Sequence, residues 1–136
     1  TALPDYDRLI STLEGEIDLT HNGGEALHLA PYGIHRFDGG WQTRSVGRCR
    51  DFNLMTRKGA CDGRMEAVPV PGQLTVGGRS NDTAILYCGQ GQVTVGVGSD
   101  TVTLSQGQSL KVESAGDVTL CLSGRGRILL AEAWYD

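Results

Sequence analysis

The apolar residues of this chain fall into short runs that alternate with polar positions and stop at glycine or proline. No window keeps the apolar period of an amphipathic helix, whereas period-two alternation is typical of a half-buried β-strand. In the second half these runs return roughly every 8–12 residues, which is typical of an antiparallel sandwich or barrel. The strands predicted there are Leu74–Val76, Ala84–Cys88, Val93–Val97, Thr101–Leu104, Leu110–Val112, Val118–Leu122 and Ile128–Trp134.

The first half shows the same alternation with less regular spacing. Its clearest turn signal is Asn22-Gly23-Gly24, a sequence that favours a tight β-hairpin. The glycine-rich stretches Gly89–Gly91 and Gly124–Gly126 are also interpreted as hairpin turns, and Lys58–Gly63 as a loop. The remaining predicted strands are Tyr6–Leu13, Ile17–Thr20, Ala26–Ala30, Arg50–Arg57 with Val46–Arg48 extending it, and Met65–Val70.

The two halves resemble each other at a constant offset. The pattern of Leu9–Ile17 parallels that of Ala84–Val93, and Leu27–Gly33 parallels Val102–Gln108, in both cases about 75 residues apart. A shared offset indicates a tandem repeat of one small β-unit. The sequence identity between the halves is thin, so two merely similar hairpins remain the alternative.

Composition narrows the class of protein. A chain of 136 residues fits one domain or two very small ones. With a net charge of −4 and scattered basic residues, the chain lacks the basic face that nucleic-acid binding requires. No apolar run approaches the roughly 18 residues of a membrane-spanning helix, and no signal peptide opens the sequence. We therefore expect a cytoplasmic protein with no nucleic-acid or membrane partner.

The stretch Arg50–Gly59 combines a strand pattern with groups capable of chemistry. In a β-strand, Phe52, Leu54 and Thr56 lie on one face, and the intervening polar residues lie on the other. That second face carries an acceptor, an amide, a thioether and a cation. Such a face suits either the wall of a pocket or a surface open to solvent. Its members are Asp51, Asn53, Met55 and Arg57.

Motifs for covalent catalysis are absent. No Gly-x-Ser-x-Gly elbow occurs, and the glycine-rich segments lack the Lys-Ser/Thr of a phosphate-binding loop. The four cysteines, at positions 49, 61, 88 and 121, form no Cys-x-x-Cys pair and have no nearby histidine in the sequence. Two disulfides are compatible with their number, although free thiols are the favoured interpretation. No catalytic residue is assigned.

One segment resembles a known family. The run Asp51-Phe52-Asn53-Leu54-Met55 is similar to the Asp-Phe-Asn-Leu-Met segment of the HutD/Ves family of bicupins. Upstream, Leu3-Pro4-Asp5-Tyr6-Asp7-Arg8 followed by Leu13-Glu14-Gly15 resembles that family's Pro-Gly-x-Asp-Arg and Leu-x-Gly block. Phe37-Asp38-Gly39 resembles its Phe-x-Gly-Asp step, with Gly40 where aspartate is common.

The resemblance implies an all-β double-stranded β-helix, the cupin or jelly-roll fold, in two tandem units. The expected division is a first cupin unit over residues 1–63 and a second over residues 64–136. Family members begin with a further N-terminal block that contains a Trp-Lys-Asn-Gly-Gly-Gly-like segment. Because this sequence lacks that block, we expect the first unit to be incomplete.

Many cupins bind a metal through a His-x-His pair, a glutamate a few residues on and a distant histidine. The three histidines here, at positions 21, 28 and 35, lie seven residues apart and form no such pair. An odd spacing also places successive histidines on opposite faces of a strand. We therefore expect no metal and no other cofactor.

A binding role is favoured over catalysis. Arg57 and Arg8 are predicted to neutralise a ligand carboxylate, Asn53 to orient the ligand, and Asp51 to hold an arginine or a ligand amide. The family's association with histidine utilisation implies an acidic metabolite such as formylglutamate and an accessory or regulatory role. The full set of predicted ligand-binding residues is Arg8, His35, Asp51, Asn53, Met55 and Arg57.

Two alternatives stay open at this point. One is a metal-dependent cupin enzyme, an oxygenase or an isomerase. The other is a protein-interaction module or homodimer without a small ligand, which the apolar run Ile128–Trp134 suggests.

Overall fold

In a computed structural model of the chain, the regular elements of residues 2–113 and 116–136, which the structure describes, are all β-strands. The all-β prediction is therefore confirmed. The expected absence of an N-terminal block concerns the chain from Thr1 backwards, which lies outside the described residues. The strands are β1 (Tyr6–His21), β2 (Ala26–Leu29), β3 (Ile34–Asp38), β4 (Thr43–Arg57), β5 (Cys61–Val68), β6 (Gly72–Val76), β7 (Thr83–Val97), β8 (Asp100–Ser105), β9 (Ser109–Glu113) and β10 (Val118–Tyr135).

The chain divides into two units between Ala60 and Cys61. Residues 2–60 are called the first unit here, and Cys61–Asp136 the second unit. No helix in the described part of the chain has the length and apolar character that crossing a membrane requires.

The first unit is a sheet built on the antiparallel pair β1 and β4. These strands lie side by side along their whole length, from Tyr6 opposite Arg57 to His21 opposite Thr43. The other edge of β1 carries β3 beside its first half and β2 beside its second half. The hairpin predicted at Asn22-Gly23-Gly24 joins β1 to β2, because Gly24 N–H donates to the carbonyl oxygen of His21 at 2.9 Å.

The second unit repeats this arrangement around β7 and β10. These two strands pair from Thr83 opposite Ala133 to Val97 opposite Leu120. The other edge of β7 carries β9 beside its first half and β8 beside its second half. The remaining edge of β10 carries β6 and β5. Strands β1 to β4 therefore match β7 to β10 in order and in pairing, and β3 and β4 begin 75 residues before β9 and β10.

Three pairs of predicted strands are continuous in the structure, because the glycines between them bend a strand rather than end it. At Gly91 the backbone has a φ of 76°, and a Cβ would overlap the carbonyl oxygen of Arg125 on β10. Gly15 has a φ of 79°, and a Cβ added there would likewise overlap the carbonyl oxygen of Arg48 on β4. The corrected stretches are Tyr6–Leu13 with Ile17–Thr20 in β1, Ala84–Cys88 with Gly89–Gly91 and Val93–Val97 in β7, and Val118–Leu122 with Gly124–Gly126 and Ile128–Trp134 in β10.

Two further elements differ from the sequence-based prediction. Strand β3 was not predicted, because His35 and Arg36 interrupt its apolar pattern between Ile34 and Phe37. Strand β5 begins at Cys61, inside the stretch predicted as a loop, and ends at Val68 before Pro69. The strand predicted at Met65–Val70 therefore starts too late and ends too late.

Each unit has its own apolar cluster. In the first unit, Ile10, Ile17, Leu19, Leu29 and Phe37 pack together. The cluster of the second unit is larger. Its buried members are Val68, Leu74, Val76, Ala84, Leu86, Cys88, Val93, Val95, Leu104, Leu120, Leu122, Ile128 and Leu130.

The alternation predicted for Arg50–Arg57 is present in β4. Thr56 is buried and Phe52 and Leu54 are half-buried, whereas the four residues of the opposite face are exposed. The pattern therefore distinguished the two faces correctly. Those exposed residues are Asp51, Asn53, Met55 and Arg57.

Candidate functional site in the first unit

A cavity of about 230 Å³ lies against one face of the first unit's sheet. Four apolar side chains of the first unit's core line it, and five polar or charged side chains complete its wall. A concave surface that combines apolar side chains with convergent polar groups is typical of small-molecule sites. The lining residues are Arg8, Ile10, Ile17, Leu19, Phe37, Thr43, Ser45, Cys49 and Asp51.

The register of the strands brings these residues to one face. Arg8 of β1 lies opposite Phe37 of β3 and Met55 of β4. Two residues on, Ile10 lies opposite His35 and Asn53. Directly opposed residues share a face of a sheet, and so do residues two positions apart on one strand. The side chains of these two rows therefore lie on the same face of the first unit's sheet.

A chain of hydrogen bonds joins three of the predicted site residues. The Nη2 of Arg8 donates to Oδ1 of Asn53 at 3.0 Å, and Nδ2 of Asn53 donates to Oδ2 of Asp51 at 2.7 Å. The guanidinium of Arg8 also lies over the Phe37 ring, with Cζ 5.0 Å from the ring centroid. The Nε of Arg8 is buried and has no hydrogen-bond acceptor among the described residues. Arg8 is therefore held by Asn53 and Phe37, and its buried Nε–H donor is unused among the described residues.

An aromatic group that includes a histidine pair lies beside the cavity. The Nε2 atoms of His21 and His35 are 2.9 Å apart, and His21 Nδ1 is 2.8 Å from the Thr43 hydroxyl. The His21 ring stacks on His35 and packs against Phe37 and Trp41. Burial lowers the pKa of both histidines, and the charge of His21 lowers the pKa of His35 further. Neutral rings are favoured at pH 7, with one ring donating to the other.

The six predicted binding residues are not equally placed. Arg8 and Asp51 line the cavity, Asn53 links them, and His35 lies at Phe37. Met55 is 48% exposed, and Arg57 lies at the end of β4 opposite Tyr6; neither lines the cavity.

Sequence reasoning missed Phe37, His21 and Thr43 as neighbours of the site. Phe37 lies in the strand that was not predicted. His21 precedes the hairpin that was predicted, and Thr43 lies opposite it in β4, so knowing the β1–β4 pairing would have identified both residues.

The histidines do not provide a mononuclear cupin metal site. Among residues 2–113 and 116–136, no three histidine, cysteine, aspartate or glutamate side chains are grouped to hold a metal ion. The Nε2 atoms of His21 and His35 are directed at each other rather than at a common point. His28 is separate, because its ring nitrogens contact Asp18 at 2.8 Å and Glu16 at 3.0 Å on an exposed surface.

Comparison with known proteins identifies the family. The HutD family model matches residues 1–130. The chain belongs to the HutD family. The Asp-Phe-Asn-Leu-Met segment that first indicated this family is the part of β4 that contains Asp51 and Asn53 of the hydrogen-bonded chain.

Solved structures of related proteins share the fold of this HutD family member. A conserved protein of unknown function from Pseudomonas aeruginosa is 24% identical, with a TM-score of 0.83 over 99% of this chain and 74% of that chain. HutD from Pseudomonas fluorescens SBW25, in a formate condition, is 22% identical, with a TM-score of 0.78 over 100% of this chain and 72% of that chain.

A cupin 2 conserved barrel domain protein from Leptotrichia buccalis connects the fold to the cupins. It is 8% identical, with a TM-score of 0.51 over 96% of this chain and 74% of that chain. At these identities the likeness concerns the fold alone, which is cupin-like. No curated protein matches the sequence.

Proposed function

We propose that this HutD family protein binds a small acidic metabolite, of the formylglutamate type, in the cavity of the first unit. The observation that carries the proposal is Arg8, whose buried Nε has no acceptor among the described residues while its Nη2 donates to Asn53. A buried donor without a partner costs about 1–3 kcal/mol, and more when charged. A ligand carboxylate removes that cost through a charge-assisted hydrogen bond.

The rest of the cavity complements such a ligand. Asp51 accepts from Asn53 and has further acceptor capacity for an N–H of the ligand, such as that of an N-acyl group. Ile10, Ile17 and Leu19 form an apolar surface for a short methylene chain. An acidic molecule with an amide N–H and a few methylenes therefore fits the cavity in charge and polarity.

We propose a binding role without chemistry, accessory or regulatory to histidine utilisation in the cytoplasm. The thiol among the described lining residues is that of Cys49, and burial and then the charge of Asp51 raise its pKa. A raised pKa keeps the sulfur protonated and unreactive at neutral pH.

The repeated strand order supports a bicupin organisation. The proposal is that β1 to β4 and β7 to β10 are two copies of one cupin-type unit. Its support is the identical pairing of the two sets and the similar glycine bends at Gly15 and Gly91.

The interaction-module alternative has less support. Its sequence feature was the apolar run Ile128–Trp134, and residues 128–131 of that run are buried within the chain. The run is therefore explained by packing inside the protein. Whether the protein forms a homodimer is tested by light scattering at several concentrations.

Calorimetric titration with N-formyl-L-glutamate and with urocanate tests the proposed function. We expect at least one of them to bind, and Arg8→Gln to weaken that binding about tenfold or more, because Gln keeps a donor to Asn53 but loses the charge. Arg44→Gln, an exposed change on β4 outside the cavity lining, is the control and should bind normally. Arg57→Ala should weaken binding less than Arg8→Gln. If neither ligand binds the unaltered protein, the proposal of a small acidic metabolite as the ligand is refuted.

A further inference from the structure

The second unit contains a larger cavity, of about 750 Å³, whose wall has an unusual acid. Asp82 lies in this wall although it is only 4% exposed, and neither of its carboxyl oxygens receives a hydrogen bond from an N–H or hydroxyl group of the described residues. The carboxyl of Glu132 is its neighbour, and the charges of Arg79 and Arg64 also act on it. A nearly buried carboxyl with unused acceptor capacity in a cavity wall points to a missing donor.

Glu132 cannot turn to satisfy Asp82, because other groups fix it. It is fully buried, and its Oε1 accepts from Nε of Arg64 at 2.7 Å while its Oε2 accepts from the backbone N–H of Gly77 at 3.2 Å. These donors stabilise the ionised form of Glu132. The proton of the pair therefore resides on Asp82, whose pKa is raised to about 6 by burial and by the adjacent Glu132.

A cation with unused donors stands in the same wall. The guanidinium of Arg79 lies over the Trp134 ring, with Cζ 3.9 Å from the ring centroid, and its Nη1 is 3.9 Å from Oε1 of Glu132. That distance is too long for a hydrogen bond. The cation–π contact holds Arg79 in the cavity wall, and a guanidinium packed on an aromatic ring can still donate its N–H groups to a carboxylate.

We propose that this cavity binds a small zwitterion of the α-amino acid class, with its ammonium group on Asp82 and its carboxylate on Arg79. This site is independent of the first-unit cavity, since it takes a ligand with a positive group that an N-acylated acid lacks. An ammonium group supplies the donors that Asp82 lacks, and the arginine fork suits a carboxylate.

Binding at Asp82 exchanges one proton for the ligand. Where Asp82 is protonated, the ammonium of the ligand displaces its proton to solvent, and the carboxylate so formed accepts from the ammonium. Affinity therefore rises with pH up to neutrality and then levels off while the ligand amine keeps its proton. The charged or titratable groups around Asp82 are Glu132 and Tyr135 of β10, Arg64 and Glu66 of β5, Arg79 of the preceding loop and Glu113 of β9.

The test is calorimetric titration of the whole chain with each of the twenty L-α-amino acids at up to about 10 mM, a range that detects millimolar affinity. Ethanolamine and acetate, which carry only the ammonium or only the carboxylate, are titrated in parallel. We expect at least one amino acid to bind more tightly than both. Binding at pH 6 should release protons, measured as a dependence of the heat on the ionisation enthalpy of the buffer, and binding at pH 8 should not.

Asp82→Asn and Arg79→Gln should each weaken that binding about tenfold or more. Arg79→Gln changes a half-exposed side chain, so it keeps the test valid if Asp82→Asn folds poorly. Asp100→Asn at the exposed start of β8 is the matched control and should bind normally. The proposal is overturned if no amino acid binds, if ethanolamine or acetate binds as tightly, or if neither variant weakens binding.

Discussion

Asp82 makes the stability of the second unit depend on pH in a direction that can be predicted. Its pKa rises from 3.8 to about 6 on folding, so its contribution to stability is fully present below about pH 4 and is lost as the pH rises through 6. Two pKa units correspond to about 3 kcal/mol at most. Glu132 offsets part of this. Burial alone would raise its pKa, but hydrogen bonds with Asp82, Arg64 and Gly77 lower it overall.

We therefore expect Asp82→Asn to stabilise the protein at pH 7.5, because asparagine remains a neutral donor to Glu132 when aspartate has lost its proton. The gain should be at most about 3 kcal/mol and should shrink to about 1 kcal/mol at pH 4.5, where the unfolded aspartate is still largely ionised. Urea denaturation at the two pH values measures it, with Asp100→Asn as the exposed control. If Asp82→Asn destabilised the protein equally at both pH values, Asp82 would not carry the raised pKa that the folded structure gives it.

The three histidines are expected to titrate in opposite directions from their ordinary value. The pKa values of His21 and His35 are lowered by burial, whereas hydrogen bonds to Glu16 and Asp18 raise the pKa of His28. His21 and His35 therefore contribute stability above pH 6.5 that is lost as the pH falls through their lowered pKa values. Ring-resonance titration by NMR separates the three. His21 and His35 titrating at or above 6.5 would contradict the buried pair.

At the scale of strands, the glycines that bend β1 and β7 determine whether each unit closes around its core. Gly91→Ala should destabilise the protein more than Gly98→Ala. Both positions have positive φ, 76° and 61°, but a Cβ overlaps Arg125 only at Gly91 and meets nothing within 4 Å at Gly98. The backbone cost of about 1–2 kcal/mol is common to both variants, so the excess reports the close approach of β7 to β10. Urea denaturation measures the two losses, and equal losses would mean that the bend tolerates a side chain.

The strands that sequence pattern predicted best are those whose apolar positions alternate cleanly, such as β8 and β6. The sequence pattern gave the wrong strand boundaries where a contact with another strand determines the local structure. A glycine before a second apolar run indicates a turn in sequence, yet Gly15 and Gly91 are required by a neighbouring strand's carbonyl group. Strand β3 carries few apolar residues because its pairing partner β1, rather than its own pattern, maintains it.

For the whole molecule, the site was predicted to the extent that it lies along one strand. Asp51 and Asn53 share a face of β4 by period two, and Arg8 was predicted as a second cation from its face of the first strand. The alternation of residues along one strand cannot predict which residues of different strands come into contact. The pairs His21 with His35 and Asp82 with Glu132 are separated by 14 and 50 residues in sequence. Neither pair is directly opposed in a strand ladder, because His35 lies opposite Ile10 and Asp82 precedes β7, so the folded chain as a whole brings each pair together.

The two cavities belong to different units and share no strand, so their ligands should bind without affecting each other. Arg8→Gln should weaken N-formyl-L-glutamate binding and leave amino-acid binding unchanged, and Asp82→Asn should do the reverse. The double variant should lose both, each by the factor of its single variant, as expected for sites without common contacts. Calorimetric titration of each ligand, alone and with the other at saturation, measures this. Because each ligand is titrated separately, failure of one site leaves the other tested. A change in either affinity on saturating the other site would show that the units are coupled.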